Sequence, residues 1–283
     1  MANPELRNML ARGEAFFAPA VWDAVTARLA RHSGFKALYI PGEETGLVVG
    51  EPRDLTTLTQ TVMIAERALE GVDDELPMIV DILCTSDAQM RQAVRTLEDA
   101  AITAMHVEDT PATSIDGLKS RLAAAIATRR SRDFLVIAGI HAAGSVDRNQ
   151  VVERAQAAQA AGADAIFIKG MRPGTDDMSW YRKAIPNIAM AAVPCEGAWF
   201  TNDRGEPLSL EEYRSLGYQL ILYPRVIQPA MQAVKDVYQH VKDAGRLPVI
   251  PQEQLDDVME VWWTLVGMEE KWAVESATTE TGK

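Results

Sequence analysis

Short, continuous apolar runs recur along the chain, separated by longer stretches in which apolar residues return every three or four positions. The runs are FFAPAV (16–21), ALYIPG (37–42), MIVDIL (78–83), AMHVED (104–109), LVIAGI (135–140), AIFIKG (165–170), IAMAAV (188–193) and LILYP (220–224). Each has the length of a strand and the composition of one buried on both faces. Between them, segments such as AVTARLARHSG, AQMRQAVRTLEDA, VVERAQAAQAAGA and EEYRSLG carry helical spacing, and several end at Gly, where a helix stops. Eight such βα units predict an α/β fold, a (β/α)8 TIM-type barrel rather than an open sheet. The returns SGFKALYI, AGADAIFI and LGYQLILY suit short helix-to-strand turns at the bottom of that barrel.

The pattern predicts a barrel domain over residues 1–240 and a C-terminal helical extension over 241–283. Two further helices are expected there, in AMQAVKDVYQHVKDAG and QEQLDDVMEVWWTLVGMEEKWA, the second carrying Trp262 and Trp263. Tryptophans on an otherwise acidic segment point to packing against the barrel or a neighbouring subunit rather than to ligand stacking. A homodimer or homotetramer is the expected assembly.

Composition narrows the function. Hydrophobic residues make up 47% and charged residues 24% of the 283, the proportions of a folded domain with a large core. With 40 acidic against 28 basic residues the formal net charge is -12, a field that repels nucleic acid and anionic membranes. The two cysteines, Cys84 and Cys195, are too few for a disulfide framework. No apolar run approaches the roughly 18 residues that span a bilayer, and the first residues, MANPELRNML, carry no basic-then-apolar signal. A cytoplasmic protein with a small-molecule partner is expected.

Chemistry in this fold sits at the C-terminal ends of the strands. The polar residues there are Trp22 and Asp23 after the first run, Pro41, Gly42, Glu43 and Glu44 after the second, and Asp81 and Cys84 from the third. His106, Glu108 and Asp109 follow from the fourth, His141 from the fifth, Lys169 from the sixth, Cys195 and Glu196 from the seventh, and Arg225 from the eighth. Asp81, Glu108 and the more distant Asp54 offer the partial oxygen shell that Mg2+ prefers; the alternative is that Asp81 and Glu108 cap helices or pair with Lys169. Lys169 admits two chemistries, a cation holding a carboxylate or a desolvated amine forming a Schiff base, and a plain salt bridge to Glu108 or Asp81 is commoner than either. Arg225 is suited to clamp a carboxylate or phosphate or to close a rim ion pair, and His141 to serve as a general base or a structural donor. Neither cysteine has an activating His nearby in sequence.

The segment WDAVTARLARHSGFKALYIPG resembles the opening of the isocitrate lyase/phosphoenolpyruvate mutase superfamily, with its "yDalSArlae.aGf.alyvsG" pattern. The likeness continues through GEPRDLTTLT, PMIVD, AITAMHVED, RAQAAQAAGADAIFIKG and LSLEEYRSLGYQLILYP, covering roughly residues 15–240. The resemblance implies a barrel enzyme that makes or breaks C–C or P–C bonds in 2-oxo or 2-hydroxy acids. It also implies the common use of Mg2+ and tetramers with an exchanged C-terminal helix.

Carried over residue by residue, Gly42 matches the substrate-loop glycine and Pro41 stands in place of its usual serine. Asp54 matches the loop aspartate if one residue is inserted before it. Asp81 matches the first aspartate of the DxDxGYG metal motif, and Glu108 the acid of "hIED". DxDxGYG has become DILCTSD, which puts Leu83 at the second metal-associated aspartate, and the KKCGH-type loop is missing. Gly139 stands where a substrate-binding arginine belongs, and Lys169 replaces the glutamate of "FPEG".

The expected activity is therefore a divergent carbon–carbon lyase acting on a small 2-oxo or 2-hydroxy acid through an enolate, by retro-aldol cleavage or decarboxylation. Asp81 and Glu108 are the metal candidates, Lys169, His141 and Glu44 the catalytic ones, and Trp22, Pro41, Gly42, Asp54 and Arg225 the substrate-binding ones. The alternatives are a metal-free Schiff-base aldolase using Lys169 and a silent ligand-binding barrel.

Overall fold

The computed structural model describes residues 3–109, 113–142, 147–171, 175–194, 201–202, 204–268 and 271–272. Its strands are β1 (Phe16–Pro19), β2 (Leu38–Ile40), β3 (Met78–Ile82), β4 (Ala104–Glu108), β5 (Leu135–His141), β6 (Ala165–Lys169), β7 (Ala189–Ala192) and β8 (Leu220–Tyr223). All eight apolar runs thus form strands, seven of them shorter at one or both ends than the runs themselves and β5 one residue longer, to His141. Every ladder is parallel, in the order β1-β8-β7-β6-β5-β4-β3-β2. The ring closes between β1 and β2 at the Ala20–Tyr39 bridge, where the Val21 N–H donates to the Tyr39 carbonyl at 2.9 Å.

The helices are α1 (Glu5–Ala11), α2 (Ala24–His32), α3 (Gly42–Val49), α4 (Leu58–Glu70), α5 (Asp87–Asp99) and α6 (Ile115–Thr128). They continue with α7 (Arg148–Ala160), α8 (Asp176–Ala184), α9 (Leu210–Ser215), α10 (Ile227–Ala244) and α11 (Gln252–Leu265). Their starts are written locally. Thr57 and Gln60 form a reciprocal capping box at α4, and Ser209 and Glu212 another at α9. The expected helix-to-strand returns use left-handed glycines, Gly162 at φ +99° and Gly217 at φ +81°, a conformation in which a Cβ is strained.

Strand parity divides the core in two. Outward residues such as Met78, Val80, Met105, Val107, Val136 and Ile166 pack against the helices. Inward residues Phe16, Ile79, Ala104, Leu135, Ile137, Ala165, Phe167 and Leu220 fill the barrel interior. Leu6 and Met9 of α1, both fully buried, pack into this inner cluster; each such side chain contributes on the order of 1.5–3 kcal/mol by leaving water. Toward the strand ends the inward positions turn polar, and the site begins there.

The chain divides into two compact units, Met1–Ile227 and Gln228–Lys283. The first is the barrel. The second holds α11 and nearly all of α10, and within it the Trp263 and Trp272 rings stack tilted at 5.4 Å. No helix among the described residues is long and apolar enough to cross a membrane.

Candidate active site

Parity places Asp81 of β3, His106 and Glu108 of β4 and Lys169 of β6 on the inner face. The ladder sets Asp81 beside His106 and Glu108 beside Gly139. The chain leaving β2 covers them: Pro41 caps α3, the Gly42 N–H donates to Asp81 Oδ2 at 3.2 Å, and a 3-10 turn at Arg53–Leu55 brings Arg53 back over the strand ends. Arg53 Nη2 donates to Asp81 Oδ1 at 2.8 Å and Oδ2 at 2.9 Å, and Nη1 to Glu108 Oε2 at 3.1 Å. Lys169 Nζ donates to Glu108 Oε1 at 2.7 Å. Acid and base therefore alternate: Asp81, Arg53, Glu108, Lys169.

These four groups form part of the wall of a cavity of about 470 Å3, together with Tyr39, Pro41, Gly42, Glu44, His106 and Arg225. That volume suits a small polar metabolite. Electrostatics set each group's state. Burial works against the Arg53 charge, but Asp81 and Glu108 more than offset it and hold the guanidinium positive. Burial likewise opposes ionisation of Glu108, yet Arg53, His106 and Lys169 bring it down to about 2. Glu44, 3% exposed, is raised above the usual carboxylate range by burial, against the pull of a backbone hydrogen bond and of Arg225.

His106 is lowered by burial, against the pull of Asp81, so its imidazole is neutral at pH 7. Its Nδ1 lies 3.5 Å from the Tyr39 hydroxyl, and its Nε2 has no partner among the described residues. Burial raises Tyr39 well above its ordinary range and pushes the Cys84 thiol up to about 11, so both stay protonated near neutrality.

Of the residues anticipated from sequence, Lys169, Glu44, Pro41, Gly42, Arg225, Asp81 and Glu108 share this cavity. Asp54 lines a neighbouring one of about 370 Å3. Trp22 and His141 line neither; the Trp22 N–H donates to Thr26 Oγ1 at 3.0 Å in the turn that starts α2, and Asp23 is the cap of that helix. His141 is paired by register with Lys169, and its buried Nδ1 has no partner among the described residues. Asp109 faces away from the cavity, against Arg121 and Arg154. Cys195 and Glu196 lie outside the described residues. Arg53, which no motif or strand end marks in the sequence, is the further residue of the site. The one signal for it was the extra residue needed just before Asp54.

A divalent ion held by Asp81 and Glu108 does not fit these residues. No group of three or more His, Cys, Asp or Glu side chains gathers around one point among the described residues. The two carboxylates that do converge are spanned by a guanidinium, and Leu83, at the place of a second aspartate, is a hydrocarbon side chain 44% exposed.

Residues 6–242 match the family described as phosphoenolpyruvate phosphomutase. Over 242 residues the chain is 33% identical to the isocitrate lyase of Haloferax volcanii, spanning 77% of this chain and 68% of that one. The chain belongs to the phosphoenolpyruvate mutase family. Among solved structures, this family member superposes on 2,3-dimethylmalate lyase with a TM-score of 0.83 at 23% identity, covering 98% of this chain and 99% of that one. It also superposes on a phosphonopyruvate hydrolase in complex with oxalate and Mg2+ with a TM-score of 0.81 at 25% identity, over 98% and 99% of the two chains. The Mg2+ belongs to that relative; in this mutase-family barrel Arg53, from the turn after α3, and Lys169, at the end of β6, are held against Asp81 and Glu108.

Proposed function

We propose that this protein is a carbon–carbon lyase that cleaves a small 2-oxo or 2-hydroxy acid through an enolate. The observation that carries the reading is the cavity itself, in which the cations Arg53, Lys169 and Arg225 surround a space also reached by Glu44, a buried carboxyl that burial raises above the usual carboxylate range. The substrates named for the relatives, isocitrate, dimethylmalate and phosphonopyruvate, are 2-hydroxy or 2-oxo acids.

In a retro-aldol cleavage a base takes the hydroxyl proton and the adjacent C–C bond breaks. Its electron pair passes into the fragment that becomes the enolate, and the other fragment leaves as a carbonyl compound. The enolate then takes a proton back. Glu44 is the residue suited to move that proton, because burial raises its carboxyl and makes it a better proton acceptor than an ordinary carboxylate. Arg225 grips a substrate carboxylate, and the fixed positive charge of Arg53 and Lys169 meets the developing oxyanion, an electrostatic contribution typically worth several kcal/mol. Pro41 and Gly42 shape the wall beside Arg53.

The Schiff-base route through Lys169 is disfavoured by its ion pair, since an Nζ engaged with Glu108 Oε1 at 2.7 Å must leave that partner before it can attack a carbonyl. Borohydride reduction with a panel of ketoacids should leave Lys169 unmodified. The direct test of the lyase reading follows a panel of 2-hydroxy and 2-oxo dicarboxylic and tricarboxylic acids by proton NMR for paired cleavage products. Glu44→Gln should lower kcat at least about 100-fold with little change in KM. No turnover of any acid in the panel would sink the reading. A cytoplasmic location and a homodimer or homotetramer, with the C-terminal helices exchanged between subunits, complete the proposal.

A further inference from the structure

We infer that Arg53 is a built-in cation standing in for a divalent metal, so that this cavity binds and processes its carboxylate ligand without one. The inference rests on the reading of the cavity as the lyase site and specifies how that site supplies positive charge.

Four observations converge. First, all four carboxylate oxygens of Asp81 and Glu108 are already taken. Asp81 Oδ1 accepts from Arg53, and Oδ2 from Arg53 and the Gly42 N–H. Glu108 Oε2 accepts from Arg53 and Oε1 from Lys169. Second, the guanidinium is built in rather than laid on the surface, its side chain 14% exposed and those of its two carboxylates 6% and 13%.

Third, the chain makes room for it. A Cβ at residue 42 would stand 2.5 Å from Arg53 Nε and 3.1 Å from Cζ, so only glycine lets the guanidinium lie against the start of α3. Fourth, the acids are already met by cations of the chain: Arg53 bridges Asp81 and Glu108, with Glu43 Oε1 a further 3.7 Å from its Nη1, and Lys169 faces Glu108. A metal entering between Asp81 and Glu108 would have to expel Arg53, leaving a buried guanidinium without its partners and two cations crowded against a third.

A guanidinium differs from Mg2+ in what it recognises. The N–H donors of Arg53 are fixed in one plane and its Nη groups already serve Asp81 and Glu108, so it meets a ligand oxygen through the in-plane donor that remains, where Mg2+ would chelate with octahedral oxygen coordination. The ligand class expected is thus a small planar 2-oxo carboxylate bound between Arg53, Lys169 and Arg225.

The test titrates MnCl2 against the full-length, chelator-treated protein and follows free Mn2+ by its EPR signal, with and without pyruvate. The wild-type protein should leave the free Mn2+ signal unchanged in both cases, and pyruvate should raise the thermal midpoint equally in EDTA and in Mn2+. Arg53→Met, which opens the two carboxylates, should take up Mn2+. If Arg53→Met does not fold, Arg53→Lys, a compact cation, should fold and still take up no Mn2+. Uptake of about one Mn2+ per wild-type chain, with or without pyruvate, overturns the inference. The two readings fail separately: Mn2+ indifference with no turnover of any acid sinks the lyase assignment alone, whereas turnover with stoichiometric Mn2+ uptake sinks the built-in cation alone.

Discussion

At residue 42 the space for a side chain is already filled, by Arg53 Nε at 2.5 Å and Asp81 Oδ2 at 3.0 Å from where a Cβ would lie. Gly42→Ala should therefore push the guanidinium off Asp81, cost about 1–3 kcal/mol of stability by overpacking, and weaken pyruvate binding. Urea midpoints and calorimetric titration check the two effects. Gly139 faces a similar limit, with His106 Nε2 only 2.7 Å from its missing Cβ, so the arginine expected there from the family pattern has no room beside His106. Asp81→Ala removes the main partner of a guanidinium whose side chain is 14% exposed and should destabilise the fold by about 3–5 kcal/mol, a loss that an Asp81→Ala/Arg53→Met double variant should largely recover.

Glu108 also carries a pH signature. Its carboxyl is held at about 2 in the fold against an ordinary 4.5, so the unfolded chain binds its proton more readily. That contribution to stability is complete above the unfolded value and is lost as pH falls from there toward about 2. Glu108→Gln should flatten the acid limb of a stability profile over this window, and an unchanged limb would refute the assignment.

At the scale of elements, the end of β4 shows how one strand serves two layers. Glu108 faces the cavity, while the following Asp109, its side chain fully buried, accepts from Arg154 Nε of α7 at 2.7 Å and from Arg121 of α6 at 3.5 Å. Its own N–H donates to the Gly139 carbonyl at 2.7 Å. Asp109 thus ties β4 to β5 and to two outer helices, and aims Glu108 without touching the cavity. Asp109→Ala leaves two arginines short of a buried partner and should cost about 3–5 kcal/mol. Hydrogen exchange should speed up across α6 and α7 as well as at β4; a change confined to β4 would argue against the tie. The mouth is finished by the β2–α4 connection, where α3 and the Arg53 turn fold over strands that come later in the chain.

For the whole molecule, barrel closure brings β3, β4, β6 and the chain after β8 to one rim, and so gathers Asp81, Glu108, Lys169 and Arg225 around one space. The C-terminal unit raises a different question. Along α10, Met231, Val234, Val237 and Tyr238 are 45–71% exposed at helical spacing, more apolar surface than an isolated helix usually leaves in water. Light scattering on the full chain should give a dimer or tetramer, and a monomer would remove the case for exchanged helices.

Much of this was legible without coordinates. Eight short apolar runs alternating with helical patterns determine a barrel because periodicity and turn residues are local signals, and strand ends such as Asp81, Glu108 and Lys169 follow from that order. The pairing of those ends, by contrast, is made in three dimensions. Arg53 reaches Asp81 across 28 residues and Glu108 across 55, and Lys169 reaches Glu108 across 61. Whether two carboxylates hold a metal or a guanidinium depends on which cation the register and the returning loop deliver between them, and no spacing along the chain reports that.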